Sequence, residues 1–171
     1  MPELSGGRLP EPDAPYGACL QPPLGAGHLS VGYDLRPPAV GQARAEVRRQ
    51  LERWGLADRG DLADTAVLLV SELATNALLR HHGRDGVGGA PAVRRFQLTL
   101  SAAHGVLRCE VTDAGRRTSQ VTEAGCAQTC RGMFLLEALA RRWGCRQDGS
   151  GTTVWFELGT CGCGDCGRRR P

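Results

Sequence analysis

The sequence contains no lysine and no isoleucine, and Asn76 is its sole asparagine. Its 21 basic residues are therefore all arginine and stand against 18 acidic residues, giving a formal net charge of +3. A P-loop nucleotide site, a lysine-dependent protein kinase and a Schiff-base enzyme each need a lysine side chain. These three classes are excluded, and so small a net charge does not by itself indicate a nucleic-acid partner.

Long apolar runs are also missing from the sequence. No segment approaches the roughly 20 apolar residues that a membrane-spanning helix needs. The first nine residues lack the basic start and apolar run of a secretory signal. We therefore expect no membrane span and a cytoplasmic location. In that location the eight cysteines are expected to be mostly reduced, some of them buried as small apolar side chains.

Composition divides the 171 residues into three parts. Residues 1–28 are rich in proline and glycine and hold few large apolar side chains, which predicts a disordered leader. Residues 29–159 carry the periodic apolar patterns of one folded domain. Residues 160–171 are mainly glycine, cysteine and arginine and predict a second tail.

Apolar periodicity within the body predicts the order β-α-α-β-β-loop-α-β-β. Helices are expected over about residues 38–54, 61–82 and 132–143, and strands over about residues 31–35, 95–100, 107–113, 145–147 and 152–158. The polar, nearly patternless residues 114–129 are typical of a functional lid. Strands that follow one another favour antiparallel pairing with the helices on one face. The fold class is therefore an α+β two-layer sandwich with a mixed, mostly antiparallel sheet.

Two polar residues of the second predicted helix, Glu72 and Asn76, lie four positions apart. This spacing places both on one side of the helix, about 6 Å apart along its axis, at the margin of the apolar stripe. A carboxylate and an amide oxygen there can bind Mg²⁺ or orient a water molecule. On the spacing alone, an ordinary solvated helix flank is the favoured interpretation.

Asp113 and Thr152 stand at the ends of two predicted strands. Each shares parity with the apolar residues of its strand, so each should project toward the core side of the sheet. A carboxylate there needs a partner, and Gly115 would let the backbone approach a ligand closely. A pocket with apolar walls is one interpretation; a turn-capping aspartate and a strand-edge threonine are the other.

The segment Cys130-Arg131-Gly132-Met133 stands at the start of the third predicted helix. Helix starts present free N–H groups and the positive end of the helix dipole. They are therefore suitable places for phosphate groups. A single glycine before a helix is a weak signal on its own.

Four motifs together resemble the ATP-binding fold of the GHKL superfamily: the helical Glu-x-x-x-Asn, the Asp-x-Gly after a strand, the Arg-Gly-Met and the strand-opening Gly-Thr. This superfamily includes gyrase, Hsp90, histidine kinases and MutL, and its fold is called the Bergerat type. Within it, the chain is similar to anti-sigma-factor serine kinases and to stand-alone ATP-binding regulators of actinobacteria. Three segments carry this similarity, which extends over about residues 30–158: Val70–Ala77, Leu136–Gly144 and Gly151–Leu158.

The resemblance implies an ATP site with Mg²⁺. On its phosphate side, Asn76 would coordinate the Mg²⁺ that bridges the phosphates, and Glu72 would activate the attacking hydroxyl group or water. Arg131 and Gly132 would belong to the phosphate-binding motif. In that motif Cys130 replaces a glycine, which puts ATP affinity and turnover in doubt because a side chain at that position would crowd the triphosphate.

The resemblance also assigns the adenine side of the site. Asp113 would accept a hydrogen bond from the adenine amino group, and Gly115 would make room for the base. Gly151 and Thr152 would line the same side.

The function implied by the resemblance is that of a cytoplasmic regulator. It would phosphorylate a serine or threonine of a small antagonist protein or hold a sigma factor, with no direct contact to nucleic acid or membrane. A homodimer is compatible with this function. The alternative is a catalytically weak module that only binds ATP or sequesters its partner.

The tail residues Cys161, Cys163 and Cys166 have spacings that are compatible with zinc. Structural zinc needs four ligands, so Cys145 or another chain would have to supply the fourth. An unstructured tail with incidental thiols is the favoured interpretation.

Overall fold

The computed structural model of the chain describes residues 27–81, 94–113, 133–148 and 151–160. In these ranges the elements follow the predicted order: β1 (Gly27–Asp34), α1 (Pro37–Arg53), α2 (Leu62–His81), β2 (Arg95–Ala103), β3 (Val106–Asp113), α3 (Met133–Leu139), β4 (Arg142–Asp148) and β5 (Gly151–Gly159). The predicted lid lies outside the described residues, as do residues 1–26 of the predicted leader and residues 161–171 of the predicted tail. Gly27 and His28, which were expected in the leader, instead open β1, where they pair with β2.

The strands form one five-stranded sheet in the order β1-β2-β3-β5-β4, and every neighbouring pair is antiparallel. A two-residue turn joins β2 to β3 at His104 and Gly105, whose φ angles are 50° and 76°. Positive φ at both central residues is typical of a tight hairpin turn. The predicted α+β two-layer fold is confirmed.

The core lies between the sheet and the two long helices. Along β3, Leu107, Cys109 and Val111 are buried on the helix side, while the residues between them are partly exposed. Buried apolar side chains of α1 and α2 cover this face of the sheet, which we call the inner face. By length and composition α2 could also cross a membrane over Leu62–Arg80, but half of that stretch is buried inside the fold. The helix therefore serves as a core helix.

The opposite, outer face of the sheet carries a charged network around Arg108. Its guanidinium donates hydrogen bonds to Glu110 Oε1 at 2.7 Å and to Glu157 Oε1 at 2.9 Å. The same group lies 3.9 Å from the centre of the Trp155 ring, a cation–π contact. The charged side chains of this network thus satisfy one another's hydrogen-bonding groups, and the helices pack against the opposite, apolar face of the sheet.

The third predicted helix is too long at its C-terminal end. The expected helix runs to Trp143, but α3 ends at Leu139 and Trp143 lies in β4, opposite Phe156 of β5. The Arg141 N–H already donates to the Glu157 carbonyl at 2.9 Å. Pairing with a distant strand decides this segment, because sheet contacts override local helix preference.

Two cysteines of the described residues have different states. Cys109 is free and fully buried, and burial raises the pKa of its thiol, so it acts as an inert core side chain, as predicted. Cys145 is disulfide-bonded, so the expectation of reduced thiols is wrong there, because spacing along a chain does not reveal which cysteines meet. A zinc ligand must be a thiolate, which removes Cys145 as the fourth ligand. The tail cysteines lie outside the described residues.

Gly144 lets the Trp155 indole pack directly on the backbone of β4. A Cβ atom at this position would lie 2.7 Å from the indole ring. We therefore expect Gly144→Ala to lower the free energy of unfolding by about 1–3 kcal/mol through overpacking. Gly159→Ala is the matched control, since nothing lies within 4 Å of its added Cβ, and should change stability by less than about 0.5 kcal/mol. Urea denaturation measures both, and equal effects would contradict this packing argument.

Candidate functional site

One side of α2 carries a row of three polar residues, Glu72, Asn76 and Arg80, at intervals of four. Residues at this spacing lie above one another on a helix. The apolar stripe of α2, which includes the buried Leu69 and Leu73, faces the core and fixes the rotation of the helix. The row therefore borders the core: Asn76 is buried, and Glu72 and Arg80 are half-buried.

The Asn76 side chain contains an unsatisfied polar atom. The residue is 6% exposed, and its Nδ2 atom has no hydrogen-bond partner among the described residues. A buried polar atom without a partner costs about 1–3 kcal/mol, and such atoms are rare in folded proteins. The Asn76 amide nitrogen thus fits a bound group that would complete its hydrogen bonding, such as a phosphate oxygen.

Asp113 and Thr152 are direct neighbours on the inner face. They are paired residues of the antiparallel strands β3 and β5, so their Cβ atoms are about 4.5–5.5 Å apart. Asp113 is 3% exposed, whereas Thr152 is half-buried. The inward placement of both residues was predicted from strand parity, and the register confirms it. A carboxylate acceptor and a hydroxyl group therefore stand side by side at one end of the sheet.

The same row continues across the sheet with aromatic side chains. Phe96 of β2 pairs with Asp113, and Tyr33 of β1 pairs with Phe96. The two rings are stacked with their centres 5.2 Å apart. Asp113 thus lies between the aromatic side chain of Phe96 and the polar side chain of Thr152 along one row of the sheet.

Gly151 opens β5 with a φ of 139°, a conformation that side-chain-bearing L residues rarely adopt. Glycine is required there by the backbone itself, whatever binds nearby. The remaining predicted members of the site, Gly115, Arg131 and Gly132, lie outside the described residues, and so does Cys130.

Arg80 connects the helix to the strand. Its Nε atom lies 3.6 Å from Asp113 Oδ2, and it donates to the Asn76 backbone carbonyl at 3.4 Å. The sequence analysis missed Arg80, although the four-residue interval from Glu72 to Asn76 continues to it. One guanidinium thus reaches both a backbone atom of α2 and the carboxylate at the end of β3.

Within the described residues, no group of three or more histidine, cysteine, aspartate or glutamate side chains could hold a metal ion. Mg²⁺ keeps several waters and often takes only one or two protein ligands beside substrate phosphates. Asn76 could supply such a ligand through its amide oxygen.

Comparison with known proteins identifies the class. The model of the histidine kinase-like ATPase domain family matches residues 34–158, which is most of the chain. The chain therefore belongs to this family, whose domains bind ATP, commonly with Mg²⁺. The predicted resemblance is confirmed at this level.

A solved structure shows the same fold. The chain is similar to the crystal structure of the RsbU and RsbW domains of Rv1364c from Mycobacterium tuberculosis, with 23% sequence identity and a TM-score of 0.55. The similarity covers 77% of this chain and 32% of that one, so the chain spans about a third of that protein's length. A comparison with curated proteins gives no match.

Proposed function

We propose that this chain is a cytoplasmic ATP-binding regulator that transfers the γ-phosphoryl group of ATP to a serine or threonine of a protein partner. The observation that carries this proposal is the buried side-chain amide of Asn76, whose nitrogen has no hydrogen-bond partner among the described residues. Asn76 lies on α2, the helix that also brings Arg80 to Asp113. The Asn76 amide and the buried Asp113 carboxylate would be two polar groups that bind opposite ends of one elongated ligand.

Each residue would have one role in that site. Asp113 would accept a hydrogen bond from the base amino group, with Thr152 beside it and the Phe96 ring as an apolar wall. Asn76, on α2, would hold the phosphate end through its amide. Glu72 precedes Asn76 by one helical turn and is half-exposed, so it can accept the proton of an incoming hydroxyl group. Bound Mg²⁺ would neutralise phosphate charge, and the protein would contribute mainly positioning.

The partner is proposed to be a protein. The family membership supports ATP-dependent action, and the structural neighbour contains an RsbW domain. An antagonist protein that carries the acceptor hydroxyl, or a sigma factor, fits the resemblance of the motifs. A second candidate function is favoured by Cys130, which stands where related motifs have glycine: a module that binds ATP or its partner without turnover.

Incubation of the full chain with γ-labelled ATP, Mg²⁺ and proteins captured from the native host separates the two functions. A kinase labels one captured protein on serine or threonine, and the label is lost with Glu72→Gln. ATP binding without any labelled protein would favour the binding module, and an absence of ATP binding would contradict both.

Asn76→Ala should weaken ATP binding in the presence of Mg²⁺ by at least about tenfold, or 1.4 kcal/mol. The variant removes the amide that is proposed to hold the phosphate end, so ATP affinity should depend much less on Mg²⁺ than in the wild type. Thr75→Ala is the matched control, because Thr75 is the preceding, half-buried residue of α2. Calorimetric titration with and without Mg²⁺ measures both variants. Equal ATP affinities of the Asn76→Ala and Thr75→Ala proteins would contradict the assignment of Asn76 to the ATP site.

A further inference from the structure

We infer that the disulfide of Cys145 joins β4 to the chain segment just before α3, at Cys126 or Cys130, and acts as a redox switch on the proposed ATP site. This inference rests on the proposed function and adds a mode of regulation to it. It starts from one observation: Cys145 is disulfide-bonded, whereas Cys109 is free. Since the described residues include only these two of the eight cysteines, the bonded partner is one of the other six.

The Cys145 side chain projects toward the inner face of the sheet. It pairs with Val154 of β5, a buried residue of that face, and paired residues point to the same side of a sheet. Cys145 is partly buried and packs against the core. Two residues further along β4, Gln147 pairs with Thr152 of the proposed base site. The segment bonded to Cys145 is therefore held on the inner face, about 7 Å from Thr152 along the strand direction.

The start of α3 lies level with Cys145. Only two residues separate α3 from β4, and the two elements are in contact, so the chain doubles back between them. The seven residues of α3 span about 10 Å, and the part of β4 that leads to Cys145 covers a similar length. Cys130 precedes the helix by three residues and Cys126 by seven. Both can therefore approach Cys145 to the Cα separation of about 4.4–6.8 Å that a disulfide needs.

The other four cysteines are poorly placed to bond with Cys145: Cys19, Cys161, Cys163 and Cys166. β5 runs away from Cys145, so Thr160 lies about 20 Å beyond the residue that pairs with Cys145. The first two tail cysteines follow within three residues, which span at most about 11 Å, so neither can reach it. The third could reach it only by a nearly straight return along the sheet. The chain before β1 leaves from the opposite edge of the sheet, with both long helices in between.

A disulfide in the proposed cytoplasmic location is not a permanent bond. Cellular dithiols reduce such bonds, and the disulfides found there are usually transient, catalytic or redox-sensing. In the reduction, a thiolate of the dithiol attacks one sulfur of the bond and forms a mixed disulfide, which the second thiol of the dithiol resolves. The protein bond takes up two electrons and two protons and becomes two cysteine thiols, and the dithiol becomes a cyclic disulfide.

The intact bond should strengthen ATP binding. It holds the segment before α3 beside Thr152, so this side of the pocket is ordered before the nucleotide arrives, and such preorganisation removes an entropic cost of binding. Reduction frees the segment, and the cost returns. A purely structural disulfide leads to a different expectation: its loss would lower the free energy of unfolding and leave the ATP affinity of the folded protein unchanged. ATP affinity therefore separates the two roles.

Tryptic digestion of the oxidised full chain without reductant tests the partner. Cleavage after arginine places Cys145 in residues 143–146 and both Cys126 and Cys130 in residues 118–131. The mass spectrum should show these two peptides joined, and fragmentation of the joined pair identifies the bonded cysteine. Residues 143–146 joined instead to the peptide of Cys19, or to residues 147–168 of the tail side, would overturn the inference.

Calorimetric titration then measures the dissociation constant of ATP with Mg²⁺ for the oxidised full chain and after reduction by dithiothreitol. Reduction should weaken ATP binding at least about fivefold. Cys145→Ser should bind ATP as weakly as the reduced wild type, with no further effect of dithiothreitol. Cys161→Ser is the matched control, because that cysteine is out of reach of Cys145, and it should behave like wild type in both states.

The outcomes distinguish the inference from the proposed function. If the oxidised wild type binds ATP and reduction does not weaken the binding, the inference fails and the proposed function stands. If neither form binds ATP, the proposed function fails and the inference with it. If circular dichroism shows that reduction unfolds the chain, the bond is structural and the inference is overturned. Should Cys145→Ser not fold, the comparison of oxidised and reduced wild type decides alone.

Discussion

Replacing Glu72 with glutamine is expected to lower phosphotransfer by about 10²–10⁴-fold, the usual contribution of a general base. Glutamine keeps the size and the hydrogen-bonding capacity of glutamate but cannot take the proton of the acceptor hydroxyl group. The residue is half-buried on α2, one turn before Asn76, and no contact of Glu72 with the base is proposed. ATP affinity should therefore stay within about twofold of wild type, since the interaction is made only in the transition state.

The measurement combines single-turnover labelling of a captured partner with calorimetric titration of ATP. Glu52→Gln is the control, because Glu52 is an exposed glutamate near the end of α1 and outside the site. Its phosphotransfer rate should equal that of wild type. Equal, mild losses in both variants would show that Glu72 is an ordinary helix-flank residue.

Asp113→Asn should weaken ATP binding by at least about tenfold, since a charge-assisted hydrogen bond contributes about 1.5–3 kcal/mol. The substitution replaces a carboxylate oxygen with an amide donor that would face the donor on the base. It also removes the negative charge opposite Arg80. Loss of this ion pair should lower the free energy of unfolding, but the fold should be retained because asparagine has nearly the same volume as aspartate.

Asp34→Asn is the matched control for this variant. Asp34 also ends a strand and also pairs with an arginine, Arg95, at 3.4 Å, but it is about half exposed. Its substitution should leave ATP affinity unchanged. Thermal denaturation of both variants separates a lost contact from a lost fold, and unchanged ATP affinity in a folded Asp113→Asn protein would contradict the assigned base contact.

The sequence predicts the order of the elements and the inner row of the site because both follow from short-range periodicity. Strand alternation alone orients Asp113 and Thr152 toward the helices, and the four-residue interval alone places Glu72 beside Asn76. Strand parity does not show how close these two residues lie. Their closeness follows from the pairing of Asp113 with Thr152 in the sheet. Motif resemblance then supplies the chemistry, which the family match supports at the level of an ATP-binding domain.

Contacts between distant segments could not be predicted in the same way. The end of α3 depends on the pairing of β4 with β5, and a local pattern extends the helix through Trp143. Arg80 resembles any half-exposed helical arginine until the fold brings α2 across the end of β3. The disulfide-bonded state of Cys145 likewise does not follow from the spacing of the cysteines along the chain. These features depend on tertiary structure, and each was missed for that reason.

The central claim is that one pocket between α2 and the inner ends of β3 and β5 holds ATP. The most direct measurement is a crystal structure of the full chain with Mg²⁺ and a non-hydrolysable ATP analogue. The account predicts the 6-amino nitrogen of the base within about 3 Å of an Asp113 carboxylate oxygen and the phosphates on the side of Asn76. A nucleotide bound elsewhere, or a base that does not contact Asp113, would contradict it.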